Sequence, residues 1–275
     1  MIEERRAVAS PAWGDVRVFP TAGAVAAAVA DELVRQLALR PGLVLGLATG
    51  ATMVPIYRRL VQRVRDGAVG VADATTFNLD EYVGLPSTAP ESYHAYMTRH
   101  LFGPLGLSPE QSLLPDGAAR DLAHACRAYD EALRVAGGLD LQILGLGLNG
   151  HIGFNEPGTP WSSTTHVVTL SEMTRRANAR FFGHNWRRVP TRAITLGVAN
   201  IVAARRVLVV VTGSSKARIL RHLFVAPINE DCPATALYGH PALVWFLDKA
   251  AASELPGRSL DTPAAGLLDP GRGTS

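Results

Sequence analysis

Leu144-Gly145-Leu146-Gly147-Leu148-Asn149-Gly150-His151-Ile152-Gly153-Phe154-Asn155-Glu156-Pro157 is the stretch that organises this chain. The apolar run leading into it, residues 139–146, predicts a buried strand. A Gly-rich turn follows, and then Asn149, His151, Asn155 and Glu156 fall within eight positions. Polar groups this dense at the end of a buried strand are costly unless they are paired or used. In open α/β sheets, ligands sit at the carboxyl ends of strands. The segment is read as half of a candidate active site; the spacing alone also fits a Gly-rich connection with a capping Asn and a structural His.

On the amino-terminal side, residues 16–19 predict a short strand stopped by Pro20. Thr21 suits an N-cap, and an Ala/Val/Leu-rich helix then runs to Leu39, ended by Pro41-Gly42. Residues 43–47 form a continuous apolar run, as a parallel strand covered on both faces requires. Ala48-Thr49-Gly50-Ala51-Thr52 comes next, and Ile56, Leu60, Val61 and Val64 recur at helical spacing. A small-residue turn between strand and helix aims backbone N–H groups at an anion, with Thr49 and Thr52 as added hydroxyl donors. This turn carries no G-x-G-x-x-G and no G-K-[ST], so a small phosphate monoester fits better there than a dinucleotide. An ordinary β-to-α turn with a Thr cap is the other reading.

Residues 75–79 predict a further strand with Asp80-Glu81-Tyr82 at its end. Adjacent carboxylates on an extended chain point in opposite directions, so they have different tasks. One suits a general base at a strand end; the pair also suits a solvated loop or a cap for a helix over 92–102. Met97 and Phe102 read as core, His94 and His100 as surface or structural residues.

A helix over 119–135 precedes the organising strand. After it come a short strand over 166–170 and a helix over 171–182 carrying Arg175, Arg176 and Arg180. Three arginines make a solvated face, from which one can reach an anion bidentately. Residues 193–196 and 207–211 predict strands, and Thr212-Gly213-Ser214-Ser215-Lys216 opens another helix. A Lys in a first helical turn opposes the macrodipole; a shared anion removes that conflict, and so does a side chain in solvent. Residues 235–238 and 243–247 close the ordered part. Strands alternating with helices predict a mainly parallel sheet between two helical layers. The expected organisation is a single α/β domain over 16–250, with flexible tails over 1–15 and 256–275.

The composition fits this organisation. The 275 residues are 47% hydrophobic and 19% charged, enough for one large α/β domain. Cys126 and Cys232 lie far apart in no metal or redox spacing, which points to plain thiols in a reducing, cytoplasmic compartment. The first residues show no apolar core of a leader, and no run reaches the ~18 apolar residues of a membrane span. A net charge of +3, dispersed along the chain, mildly favours anionic ligands and argues against nucleic acid. Composition selects neither a monomer nor a homo-oligomer.

Taken together, Leu45-Gly46-Leu47-Ala48-Thr49-Gly50, Phe77-Asn78-Leu79-Asp80-Glu81-Tyr82-Val83-Gly84-Leu85 and Glu91-Ser92-Tyr93-His94 resemble the glucosamine-6-phosphate deaminase family. So do residues 147–157, residues 174–182 and Gly213-Ser214-Ser215-Lys216, in unbroken order over residues 16–248. The resemblance implies a three-layer, modified Rossmann-like fold with a mobile lid formed by 171–182. It implies conversion of D-glucosamine 6-phosphate and water to D-fructose 6-phosphate and ammonia, without an organic cofactor or a metal. It makes Asp80 the enolising base, His151 the ring-opening acid/base, and Glu156 the carboxylate that partners this His. Asn149 stands where some relatives carry Asp, which lowers the His151 pKa but leaves a group able to orient the ring. Arg180 and Lys216 become the phosphate cations, with Thr49, Gly50 and Thr52 as donors and Glu81 among the substrate-binding residues.

Three departures from the family pattern stand out. Ala51-Thr52-Met53 replaces a second Gly or Ser followed by Pro, and the Ala51 methyl is expected to tighten the loop. Thr164 replaces a common basic residue. His166 and Val168 replace the Arg and Lys of allosterically activated relatives, so simple, unactivated kinetics are expected. Three other readings share the scaffold: a galactosamine-6-phosphate deaminase, a 6-phosphogluconolactonase, and a non-catalytic sugar-phosphate sensor, for which residues 1–15 are too short to form a DNA-binding segment.

Overall fold

Val207-Leu208-Val209-Val210-Val211 has no polar position to offer water, and all five side chains are buried inside a seven-stranded sheet. The structure, a computed structural model, describes residues 13–225 and 227–255. Its strands are β1 (Asp15–Phe19), β2 (Val44–Leu47), β3 (Thr75–Asn78), β4 (Asp80–Tyr82), β5 (Ser112–Leu113), β6 (Leu141–Leu144), β7 (His166–Thr169), β8 (Arg192–Thr195), β9 (Val207–Val211) and β10 (Leu243–Asp248). Seven of them form an all-parallel sheet in the order β1-β10-β9-β6-β2-β3-β5. The inner strands β2, β6, β9 and β10 are buried at every position, while β1 and β5 at the edges are partly exposed.

Helices flank this sheet. Thr21 caps α1 (Ala22–Leu39) by accepting from the Ala24 amide, and Val25, Val29, Leu33 and Leu37 turn to the core about once per turn. Leu33 is fully buried, so Leu33→Ala costs roughly 2–5 kcal/mol. Helix α2 (Val54–Arg65) packs on α1 and buries Ile56, Tyr57, Leu60 and Val61. The others are α3 (Tyr93–Met97), α4 (Gly103–Leu105), α5 (Leu122–Val135), α6 (Glu172–Asn178), α7 (Val198–Val202) and α8 (Ala217–Val225).

Strand order now explains where a site must lie. From β2 the chain moves outward to β3 and β5; from β6 it moves the other way, to β9 and β10. The direction of winding reverses between the neighbours β2 and β6. Such a switch point leaves a crevice at the carboxyl ends of the strands.

The structure corrects the sequence reading in four places. Strands β4, β8 and β7 are not part of the parallel sheet but form a second, antiparallel one, with Asp80 opposite Thr195 and His166 opposite Thr195 from the other side. The chain crosses between the sheets at Leu79, whose amide donates to Leu47 of β2 and whose carbonyl accepts from Leu196. The helix expected over 92–102 is α3 followed by a wider π turn at Thr98–Phe102, where the Gly103 amide reaches back to Thr98 just before Pro104. The helix expected over 171–182 is α6 followed by a 3-10 turn at Ala179–Phe181. Trp13, expected in a loose arm, is buried, with its carbonyl accepting from the Trp245 indole. The remainder of the expected tails, residues 1–12 and 256–275, lies outside the described residues.

Candidate active site

The crevice at the switch point is a pocket of about 320 Å³, at the lower end of small-ligand sites. The turns after β2, β3, β6 and β9 supply its floor, and residues of α6 and the following turn supply its roof. Thr49, Gly50, Thr52, Asp80, His151, Arg180 and Lys216 all line it, although they come from five separate places in the sequence.

The turn after β2 holds the first anion donors. Gly50 takes a φ of 105°, a backbone shape that favours glycine, and Tyr96 donates to its carbonyl at 2.7 Å. The turn lies at the amino end of α2, where amides and helix dipole favour an anion. Ala51 is exposed and lines the pocket beside Thr52. Met53 is fully buried and packs beneath the turn. Thr49 and Tyr93 both line the pocket, and the Tyr93 hydroxyl donates to Tyr82 at 3.3 Å.

Asp80 and Glu81 do point opposite ways on β4, and their surroundings separate them. Asp80 is only 6% exposed, faces the pocket, and leaves Oδ1 without a partner. Burial, then the Glu81 charge, pushes its pKa up to about 8. Glu81, expected among the substrate-binding residues, is instead a helix anchor. Its Oε1 accepts from the amides of Tyr82 and Tyr93 at 2.8 and 2.9 Å, and its Oε2 from the amide of His94 at 2.8 Å. Burial raises its pKa, and these backbone amides at the start of α3 oppose that rise. It does not line the pocket, because the strand's alternation turns it to the other face.

After β6 the polar residues form a relay. Glu156 Oε2 accepts from Asn149 Nδ2 at 2.9 Å, and Asn149 Oδ1 lies 2.6 Å from His151 Nδ1. The carboxylate only accepts, so it fixes the amide with Nδ2 toward Glu156 and Oδ1 toward the imidazole. The imidazole Nδ1 therefore carries the proton, and Nε2 keeps a free lone pair. Glu156, expected to partner His151, does so through Asn149, which stands between them. Burial, then the Lys216 charge, draws the His151 pKa down to about 4, against the pull of Glu156. The ring lies flat against Gly147, where a Cβ would come within 2.3 Å of Nδ1, so only glycine fits. Asn155, also singled out in the sequence, is fully buried and holds the turn together by donating to the Ile152 and Leu196 carbonyls.

The cations flank the mouth. Lys216 donates through Nζ to the Leu146 carbonyl at 2.5 Å, and burial, then the Arg180 charge, lowers its pKa to about 8. The Gly213 amide beside it is held by Asp248 at 3.0 Å, so that amide is not aimed at a ligand. Of the three arginines, Arg175 donates to the Val189 and Trp186 carbonyls and Arg176 pairs with Glu172. Arg180 is exposed at the pocket rim with its guanidinium over Phe181.

Sequence reading missed Ser171, Thr174 and Tyr93. Ser171 and Thr174 bind the free oxygen of Glu156, and Thr174 and Tyr93 line the pocket. Ser171 and Thr174 were legible only as the start of a helix, and nothing local marks their distant partner. Among the described residues, no group of three or more His, Cys, Asp or Glu side chains is gathered as a metal site requires. No helix among them is long and apolar enough to cross a membrane.

The fold defines the class: an α/β, Rossmann-like protein with its crevice at the carboxyl edge of a parallel sheet. The family model described as glucosamine-6-phosphate isomerases/6-phosphogluconolactonase matches residues 20–245, and the chain belongs to that family. It is 46% identical over 245 residues to a glucosamine-6-phosphate deaminase of Rhodopirellula baltica, covering 89% of this chain and 97% of the relative. It is 44% identical over 227 residues to one of a Geobacillus species, covering 82% and 90%. The solved structure of a monomeric glucosamine-6-phosphate deaminase superposes with a TM-score of 0.85 at 41% identity, covering 87% of this chain and 99% of that one. A 6-phosphogluconolactonase of Trypanosoma brucei, at 20% identity and a TM-score of 0.71, shares the fold.

Proposed function

We propose that the protein is a glucosamine-6-phosphate deaminase, converting D-glucosamine 6-phosphate and water to D-fructose 6-phosphate and ammonia. The observation that carries this reading is the pairing, in one pocket, of an underbonded carboxylate, Asp80, with an imidazole held as a base, His151. Lys216, Arg180 and the turn over 49–52 receive the phosphate at the mouth. The neutral His151 Nε2 takes the proton of the anomeric hydroxyl and delivers one to the ring oxygen, opening the sugar. The C1 aldehyde then acidifies the C2 proton. Asp80 removes that proton and returns it at C1, while the amino group gives up a proton and O1 gains one, leaving an imine at C2 beside a C1 hydroxyl. Water adds to this carbon and ammonia departs, which balances the reaction without a further reactant. Closure of the segment over 171–182 brings the exposed Arg180 onto the phosphate and excludes water.

Lactone hydrolysis has no need of a base poised for proton transfer between adjacent carbons, which is what Asp80 offers. Buried free thiols at Cys126 and Cys232 support action in a reducing compartment, the cytoplasm. The test is ammonia release from glucosamine 6-phosphate, with galactosamine 6-phosphate alongside. Ammonia matched by fructose 6-phosphate is the expected result. Release only from the galacto epimer keeps the chemistry and changes the substrate; release from neither overturns the proposal.

A further inference from the structure

One oxygen of Glu156 faces Asn149, and the other is held by the start of α6. Oε1 accepts from the Ser171 amide at 3.3 Å, the Ser171 hydroxyl at 3.1 Å and the Thr174 hydroxyl at 2.5 Å. Burial disfavours the carboxylate charge, but Thr174 and Asn149, with His151 and Ser171, more than offset it and hold the pKa low. The same segment carries Arg180 at its far end, and Phe182 beyond it packs edge-on to Tyr82 at 5.4 Å. The roof thus contacts the relay at one end and an aromatic cluster at the other.

We propose that Thr174, with Ser171, is a positioning residue: by fixing Glu156 against Asn149, the seated α6 selects the His151 tautomer that can open the sugar ring. This rests on the deaminase reading of the pocket. An Asn side chain has nearly the same shape after a half-turn, so sterics alone do not choose its orientation. The charge of Glu156 chooses it, supported by a long bond of 3.3 Å from the His151 amide to Oδ1, provided the carboxylate stays aimed at Nδ2. If Glu156 swings away, Asn149 can turn Nδ2 toward His151. Nδ1 must then accept, the proton moves to Nε2, and the base facing the pocket becomes a donor. Placement of the phosphate-binding roof and readiness of the imidazole are thereby one event.

Thr174→Val removes the hydroxyl at nearly constant volume, and Thr174→Ser restores it. Nitrogen NMR of the His151 ring, without substrate, reads the tautomer directly; steady-state kinetics read its consequence. The wild type is expected to carry its proton on Nδ1. Thr174→Val is expected to populate the Nε2–H form and lower kcat by ~10-fold, as loss of a hydrogen bond to a charged group implies. KM moves less than kcat, and Thr174→Ser regains both tautomer and rate. A Thr174→Val protein with an unchanged tautomer overturns the link, whether its loss is in KM or in melting temperature. Equal impairment of the Val and Ser variants overturns it too. A wild type that releases no ammonia defeats the deaminase reading instead, and the ring spectra still decide the tautomer link.

Discussion

Asp80 and Glu156 are two carboxylates of one pocket with opposite surroundings. Asp80 is buried with one oxygen unpaired and its pKa raised to about 8. Glu156 is half-buried, holds donors on both oxygens, and has its pKa lowered. A carboxylate starved of donors is basic and reactive; one saturated with them is a fixed charge that orients its neighbours. The contrast divides labour between chemistry and positioning; Glu81 shares the bonded oxygens of the second case, through backbone amides alone, although burial keeps its pKa raised.

The hardest way to break the comparison is Asp80→Asn. Turnover is expected to fall by ~10²–10⁴-fold, the usual contribution of a positioned base, with substrate binding kept. Near-normal turnover removes Asp80 from the mechanism. The same change has an opposite effect on stability. A carboxyl with a folded pKa near 8 and an ordinary value of 3.8 binds more protons folded than unfolded between those values. Stability therefore falls as pH rises from about 4 to about 8, by at most on the order of 5 kcal/mol. Asp80→Asn lacks this loss, so it is expected to melt above the wild type at pH 9 and much closer to it at pH 4. Equal melting shifts at both pH values refute the raised pKa. For the wild type, kcat/KM rises with pH as free Asp80 ionises near 8 and declines as Lys216 deprotonates, giving an optimum near pH 8.

Glu156→Gln tests the saturated partner. It keeps shape but removes the charge that orients Asn149 and raises the His151 pKa. A roughly 10–100-fold drop in kcat is expected, smaller than that for Asp80 because no reacting atom is touched. A drop as large as that of Asp80→Asn makes Glu156 a participant in the chemistry and erases the distinction. Lys216→Ala is gentler on kcat. Its loss is expected as a ~10-fold or greater rise in KM for phosphorylated substrate, and an unchanged KM places the phosphate elsewhere.

How far the sequence carried these contrasts follows from the range of each interaction. The strands β2, β6 and β9 were legible because their apolar runs are local, and each small-residue turn stood beside its strand. That Asp80 and Glu81 face opposite ways followed from the two-residue period of an extended chain. Strand order was invisible, because β6 lies beside β2 only through pairing nearly a hundred residues apart. The second sheet was missed because β4 is three residues long and two of them are charged, so no alternation marked it. The anchors of Glu156 on α6 were missed because they lie 15 and 18 residues away, across a loop and a strand.

The smallest expected effect is none at all, on adding N-acetylglucosamine 6-phosphate. Effector control of the family kind needs basic side chains on β7, an edge strand of the antiparallel sheet. Here His166 holds its ring against the Thr164 carbonyl at 2.8 Å, which accepts from Nδ1. Val168 packs toward the aromatic cluster of Tyr82 and Phe154 beneath the roof, and Thr164 is exposed and uncharged. No lysine or arginine stands at these three positions to bind an effector phosphate. Rates against glucosamine 6-phosphate are expected to saturate hyperbolically and to superpose with and without the N-acetyl sugar. A sigmoidal curve made hyperbolic by that sugar would show that the roof is governed from outside the pocket, and Glu156 would then be receiving a signal as well as holding a tautomer.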